Sequence, residues 1–223
     1  MAEGAEFRID RDLVRERFIK YTRKAFSMLS PLDKPRILDL GCGSGVSTIE
    51  LARLGQGEVT GIDIDQYALD KFARKIEEAG LTDRVKAINC SMLDIDFPDE
   101  SFDIVWSEGS IFAVGFEKGL RDWKRLLKPG GYIMVHDEAG NITEKMEQIL
   151  NCGYDLLGHF VLDQDTWWRE YYTPLKKMVD EARPAYADDS EVPEELKAAE
   201  REIEMFEKYP ERNNSVCFVM RKR

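Results

Sequence analysis

The stretch ILDLGCGSGVSTIELA, residues 37–52, constrains the fold more than any other part of the chain. An apolar run breaks into glycines at 41, 43 and 45 and then resumes with helical character. Glycine costs chain entropy wherever it stands, so three at alternate positions imply a backbone that is closely approached or bent where other residues resist. A strand that ends in such a loop and opens a helix is the repeating unit of an α/β sheet.

The next hundred residues repeat that unit. Strands RILDL, EVTGID, RVKAIN, FDIVWS and YIMVHD are interspersed with helices from Ser44 to about Leu54, at QYALDKFARKIEEAG and at FEKGLRDWKRLLK, with a PGG turn before the fifth strand. This alternation predicts a mostly parallel sheet with helices on both faces. Upstream, Val14, Phe18, Tyr21, Ala25 and Met28 recur at spacings of 4, 3, 4 and 3, one face of a helix that starts at Asp10 and ends at SPLDKP. Downstream come helix ITEKMEQILNCG, strand YDLLGHFVL and the aromatic helix DTWWREYYTPLKKMVDEA. RPAYADDSEVP reads as a solvated loop. It precedes a helix with Leu196, Ala199, Ile203 and Phe206 on one side, and SVCFVMRKR alternates as a final edge strand with a basic end.

A length of 223 residues suits one substantial core and therefore one domain. Forty-three acidic residues against 32 basic ones give a net charge of −11, a field that repels polyanions and argues against nucleic acid as a partner. No apolar run approaches the roughly 18 to 20 residues of a membrane span, and the acidic start MAEGAEFRID is unlike a signal peptide. The expectation is a cytoplasmic protein with no membrane partner. Cys42, Cys90, Cys152 and Cys217 form no CxxC pair and flank no histidine cluster, which points to buried small hydrophobes and to neither a metal site nor a disulfide framework.

Two ligands compete for the glycine loop. The dinucleotide fingerprint is GxGxxG, but here the spacing is GxGxG and Val46 stands where that fingerprint needs glycine. Asp63 ends the next strand, 22 residues beyond Gly41, and puts a carboxylate where it can accept from both ribose hydroxyls. With no phosphate-binding GK[ST], the pairing favours a nucleoside other than a nicotinamide dinucleotide.

LDLGCGSG, GIDID, FPDESFDIVWS and LLKPGGY, in this order between residues 30 and 137, resemble the class I S-adenosylmethionine-dependent methyltransferases of small-molecule type. The resemblance runs on, less specifically, through GHFVLDQDTWWREYYTPL. It implies an α/β, Rossmann-like sheet of seven strands in the order 3-2-1-4-5-7-6, the last antiparallel, with helices on both faces and helical lid segments. One domain would span 1–223, with a helical cap over 1–35, a cofactor-binding core over 36–140 and a C-terminal half over 141–223. The implied cofactor is S-adenosylmethionine and the implied partner a small-molecule acceptor, with the chain a monomer or homodimer.

Carried over residue by residue, the resemblance assigns Asp39 to the methionine amino group and the backbone of Gly41, Cys42, Gly43 and Gly45 to close approach of the ligand. The following helix N-terminus suits its carboxylate. Asp63 takes the ribose diol and Ile64 packs on adenine. Where the family usually has an aspartate for the adenine amino group this chain has Ser91, a weaker acceptor, so Ser91 and Met92 are the expected adenine contacts.

Ser107 and Glu108, at the end of the fourth strand, would border the sulfonium. Methyl transfer is an in-line displacement in which orientation does much of the work, and a base matters only when the acceptor must lose a proton. Glu108 and His136 are the catalytic candidates, with Glu138 beside them. A loop-capping role for Glu108 and a structural one for His136 and His159 compete with that reading. Phe112, Trp168, Tyr171 and Tyr172 are the substrate candidates; the last three share one side of a helix by the 3,4 rule, as a lid over the acceptor or as a stripe that docks the helix. Tyr21 and Arg23 are further candidates for reaching the cofactor. SEGS stands where many amino-group methyltransferases carry [DN]PP[YFW]. Two rivals remain: a non-catalytic nucleoside-binding module, and an NAD-dependent oxidoreductase that Val46 disfavours.

Overall fold

A computed structural model describes residues 8–186, 188 and 192–223. Most of the polar start read above, and positions 187 and 189–191 of the loop RPAYADDSEVP, lie outside the described residues.

In chain order the chain forms α1 (Asp12–Arg15), a 3₁₀ turn (Glu16–Phe18), α2 (Ile19–Phe26), β1 (Ile37–Leu40), α3 (Val46–Gly55), β2 (Val59–Asp63), α4 (Gln66–Glu78) and β3 (Val85–Asn89). There follow β4 (Phe102–Glu108), a 3₁₀ turn (Ile111–Ala113), α5 (Phe116–Trp123), β5 (Leu127–Glu138), α6 (Ile142–Asn151) and β6 (Tyr154–Leu162). The last elements are α7 (Gln164–Trp167), α8 (Thr173–Ala182), α9 (Glu194–Lys208) and β7 (Ser215–Lys222). The seven strands form one sheet in the order β3-β2-β1-β4-β5-β7-β6, as the resemblance implies, with β7 antiparallel to β5. Strand order reverses between β1 and β4, which are parallel neighbours. In open α/β sheets the crevice beyond the carboxyl ends at such a point is where ligands bind.

By contacts the chain divides into a sheet unit, Ile19–Val161 with Ser215–Arg223, and a helical unit, Met1–Phe18 with Leu162–Asn214. Leu38, Leu40, Ile62, Val105, Trp123, Ile133 and Phe218 belong to the core of the sheet unit. In the helical unit Leu175 and Val179 from α8 meet Leu196, Ala199, Ile203 and Phe206 from α9, the four positions whose spacing marks the apolar side of α9.

Three local expectations change. The N-terminal helix is interrupted by the 3₁₀ turn, which winds about 120° per residue against about 100° in an α-helix. Beyond it Thr22 (2% exposed) is buried and Tyr21 half-buried. The PGG stretch does not precede the fifth strand but lies inside it: Leu127 pairs with Phe102 and Tyr132 with Ile104, so Lys128–Gly131 bulge out of the ladder. β7 is not an edge strand. It lies between β5 and β6, and Val216–Met220 are all buried because both of its faces are covered; the edge is β6, which shows the alternation of one wet face.

Candidate active site

The glycine loop leaves β1 in a conformation that explains its composition: Gly41, Gly43 and Gly45 take φ of 73°, 53° and 77°, the left-handed region that L side chains rarely adopt. Space is equally restricting. A β-carbon at 41 would lie 2.5 Å from Cβ of Ser110, and one at 45 would lie 1.9 Å from the Phe72 ring. Gly45 opens α3, so the loop delivers the first backbone N–H groups of a ten-residue helix to the carboxyl edge of the sheet, where they favour an anion.

Asp63 holds the loop from β2. Its Oδ2 accepts from the Gly43 N–H at 2.8 Å and its Oδ1 from the Asp65 N–H at 2.9 Å. The carboxylate is thereby oriented at the carboxyl end of β2 and keeps further lone pairs for a ligand. Ile64, next in sequence, is 71% exposed. Ser91 and Met92 follow β3; the Ser91 hydroxyl accepts from the Leu93 N–H at 3.2 Å, and the Met92 carbonyl accepts from Trp123 Nε1 at 3.3 Å. The Met92 methyl lies 3.1 Å from where a β-carbon at 41 would stand, so Met92 borders the glycine loop.

Asp39 is almost wholly buried, and Oδ2 accepts from the Thr48 hydroxyl at 2.6 Å. Burial pushes its carboxyl up to about 7; the Thr48 hydrogen bond pulls it down, and the charges of Glu108 and Asp63 push it further up. Cys42 is half-buried, and burial, with Asp39 and Asp63 nearby, raises its thiol far above its ordinary value. A group so hard to ionise is not a nucleophile. Cys152 and Cys217 are buried and Cys42 and Cys90 half-buried, all four as free thiols.

At the end of β4, Ser107 is fully buried and shares a hydrogen bond with Ser110 at 2.8 Å; Ser110 in turn donates to the Leu40 carbonyl at 2.6 Å. Glu108 gathers three donors: the Thr22 hydroxyl from α2 at 2.8 Å, the Ser47 hydroxyl from α3 at 2.7 Å and Trp106 Nε1 at 2.7 Å. A second tie joins the same two helices, Arg23 Nε to Glu50 Oε1 at 2.6 Å. Tyr21 faces the Phe160 ring at 6.4 Å. His136, directly across the ladder from Glu108, shares a 2.7 Å hydrogen bond through Nε2 with the Ser215 hydroxyl. Burial lowers its pKa, against the opposing charges of Glu108 and Asp137. Glu138 ends β5 exposed. Phe112, in the turn after β4, is 74% exposed.

The remaining aromatic candidates lie in the helical unit. Tyr172 is buried against Phe206, ring centroids 4.0 Å apart, and its hydroxyl donates to Asn213 at 3.1 Å. Tyr171 accepts from Arg11 at 2.5 Å, and Trp168 stacks on Phe206 at 5.5 Å. Between α7 and α8 the helix widens into a π-turn over Trp168–Tyr172, where the Thr173 N–H reaches back to the Trp168 carbonyl. The cause is Pro174, which has no N–H for the carbonyl four residues back and whose ring crowds it.

Thr22, Ser47, Thr48 and Ser110 are missed by the motif reading. Ser47 and Thr48 carried a usable signal, being hydroxyls in the first turn after the glycine loop; Thr22 did not, because its partner Glu108 lies 86 positions away. Among the described residues no cluster of three or more His, Cys, Asp or Glu suits a metal ion, and no helix is long and apolar enough to cross a membrane.

A doubly wound sheet with a glycine loop after its first strand and an antiparallel seventh strand defines a Rossmann-like fold. The chain matches the family described as methyltransferase domain over residues 37–131. It is 33% identical to a sterol 24-C-methyltransferase of Gibberella zeae over 46% of this chain and 27% of that one. To the 27-O-demethylrifamycin SV methyltransferase of Amycolatopsis mediterranei it is 28% identical, over 68% of this chain and 58% of that one. An S-adenosylmethionine-dependent methyltransferase of Thiobacillus denitrificans, solved with S-adenosylhomocysteine, superposes with a TM-score of 0.72 at 23% identity over 97% of this chain and 94% of that one. The chain spans half or less of the length of the first relatives it matches.

Proposed function

We propose that the chain transfers a methyl group from S-adenosylmethionine to a small-molecule acceptor and releases S-adenosylhomocysteine. The observation that carries this is the Asp63–Gly43 pair: a carboxylate at the end of β2, aimed by two backbone N–H groups, beside a loop in which β-carbons have no room. That cradle fits a nucleoside carrying an amino-acid tail. Asp63 would take the ribose hydroxyls, Ile64, Ser91 and Met92 the adenine, Asp39 the amino group, and the start of α3 the carboxylate. When bound, S-adenosylmethionine supplies an electrophilic methyl on a cationic sulfur. Phe112, exposed just beyond β4, offers an apolar surface to the acceptor, in keeping with the sterol named for one relative. The reading extends to a cytoplasmic protein acting as monomer or homodimer.

Calorimetric titration tests the cofactor half. Asp63→Ala is expected to weaken S-adenosylmethionine by ~1 to 3 kcal/mol, the scale of hydrogen bonds to a charged group. Unchanged affinity, or tighter binding of NAD than of S-adenosylmethionine by the parent chain, would overturn it. Release of S-adenosylhomocysteine on incubation with a metabolite extract, above a no-extract control, separates the enzyme from a binding module.

A further inference from the structure

Glu108 stands at the carboxyl end of β4, the strand that flanks the crevice opposite the glycine loop. A carboxylate serving as base needs a lone pair free for the acceptor's proton and room to approach it. Here Oε1 accepts from Thr22 and Trp106 and Oε2 from Ser47, and the three donors come from three different elements, so the group is pinned. Of the roughly four lone-pair sites of a carboxylate, three are taken, and what the three donors fix is the position of the group. It is held against the crevice by geometry: Ser47 lies in the first turn of the helix that follows the glycine loop, and His136 stands directly across the ladder.

We propose that Glu108 is a fixed anion that discriminates by charge between the sulfonium donor and the thioether product. The proposal rests on the methyl-donor reading of the site. In the transfer, the acceptor contributes an electron pair to the methyl carbon while the carbon–sulfur pair returns to sulfur. The positive charge leaves sulfur, passes to the acceptor, and goes to solvent if the acceptor then sheds a proton. The donor side thus loses one unit of positive charge across the reaction, while adenosine, amino group and carboxylate stay the same. A fixed carboxylate in a low-dielectric crevice attracts the sulfonium form and not the thioether, so it favours loading of donor and release of product. Ser47, in the first turn of α3, is the positioning residue that couples this anion to the helix following the glycine loop.

The test compares two ligands that differ only in the methyl group and that charge. Affinities of S-adenosylmethionine and S-adenosylhomocysteine are measured by calorimetry for the parent chain and for Glu108→Gln, which keeps the shape and removes the charge. The expected result is a selective loss: the donor weakens on the order of tenfold, the product changes by less than about twofold, and the ratio of the two shifts accordingly. Equal weakening of both, or a change in neither, overturns the proposal. Should Glu108→Gln not fold, Glu108→Asp, which withdraws the charge by one methylene, takes its place and is expected to shift the same ratio in the same direction by a smaller factor. A parent chain that binds neither ligand would instead sink the methyl-donor reading.

Discussion

The two units of the chain use their conspicuous residues in opposite ways. In the sheet unit the glycines and carboxylates of the motifs stay at strand ends, where Asp63 and Glu108 are positioned by hydrogen bonds and Ile64 and Phe112 remain exposed. In the helical unit the aromatics that suggest a lid are largely spent on packing: Tyr172 is buried with Leu175, Val179 and Phe206, and Tyr171 is tied to Arg11. A motif residue set by backbone conformation is thus left free for a ligand. An aromatic stripe set by hydrophobicity is consumed by its own core first.

The sharpest way to break that contrast is Gly45→Ala. The left-handed φ and the 1.9 Å approach to Phe72 leave no rotamer that relieves the strain, and Phe72 is fully buried. Loss of ~3 to 5 kcal/mol, or failure to fold, is expected by thermal and denaturant melting, the range for backbone strain combined with overpacking. A variant as stable as the parent would mean that the loop is not dictated by its glycines. Next in size, Tyr172→Ala should cost ~3 kcal/mol through cavity formation and the lost Asn213 bond, with the affinity for S-adenosylmethionine unchanged. An unchanged melting temperature with altered acceptor use would restore the lid reading for this residue.

The same contrast explains what was legible in the sequence. The alternating strands and the GxGxG–Asp63 spacing are local signals, and the sheet order that the family resemblance implies is present strand for strand. β7 was misjudged because SVCFVMRKR shows its apolar residues but not its neighbours. Covering both faces of Val216–Met220 takes elements distant in sequence, and antiparallel insertion beside β5 cannot be read from the strand itself. The donors on Glu108 were hidden for a related reason: Thr22 reaches it across 86 positions. The π-turn at Trp168–Tyr172 likewise breaks the regular 3,4 geometry on which the grouping of 168, 171 and 172 relied, although Pro174 was a visible cause.

The smallest effect concerns Asp39, whose carboxyl burial raises to about 7. For stability the sign follows from proton uptake. Between the ordinary carboxylate value near 3.9 and about 7, the folded chain holds a proton that the unfolded chain has lost, so the Asp39 contribution to stability falls as pH rises through that window and is flat above it. For binding the sign is reversed, because only the ionised carboxylate attracts the amino group of the donor. Ionisation rises from roughly a tenth at pH 6 to roughly nine-tenths at pH 8, so affinity for S-adenosylmethionine should increase by up to about tenfold over that interval, ~1.4 kcal/mol. Asp39→Asn should flatten that binding profile and, in the ligand-free chain, raise the melting temperature at pH 8 more than at pH 4. Calorimetry at pH 6, 7 and 8 with both chains distinguishes this from a passive buried acid, for which the two profiles would run parallel. Such parallel profiles would also remove Asp39 from the residues that face the ligand and leave Thr48 as its sole purpose.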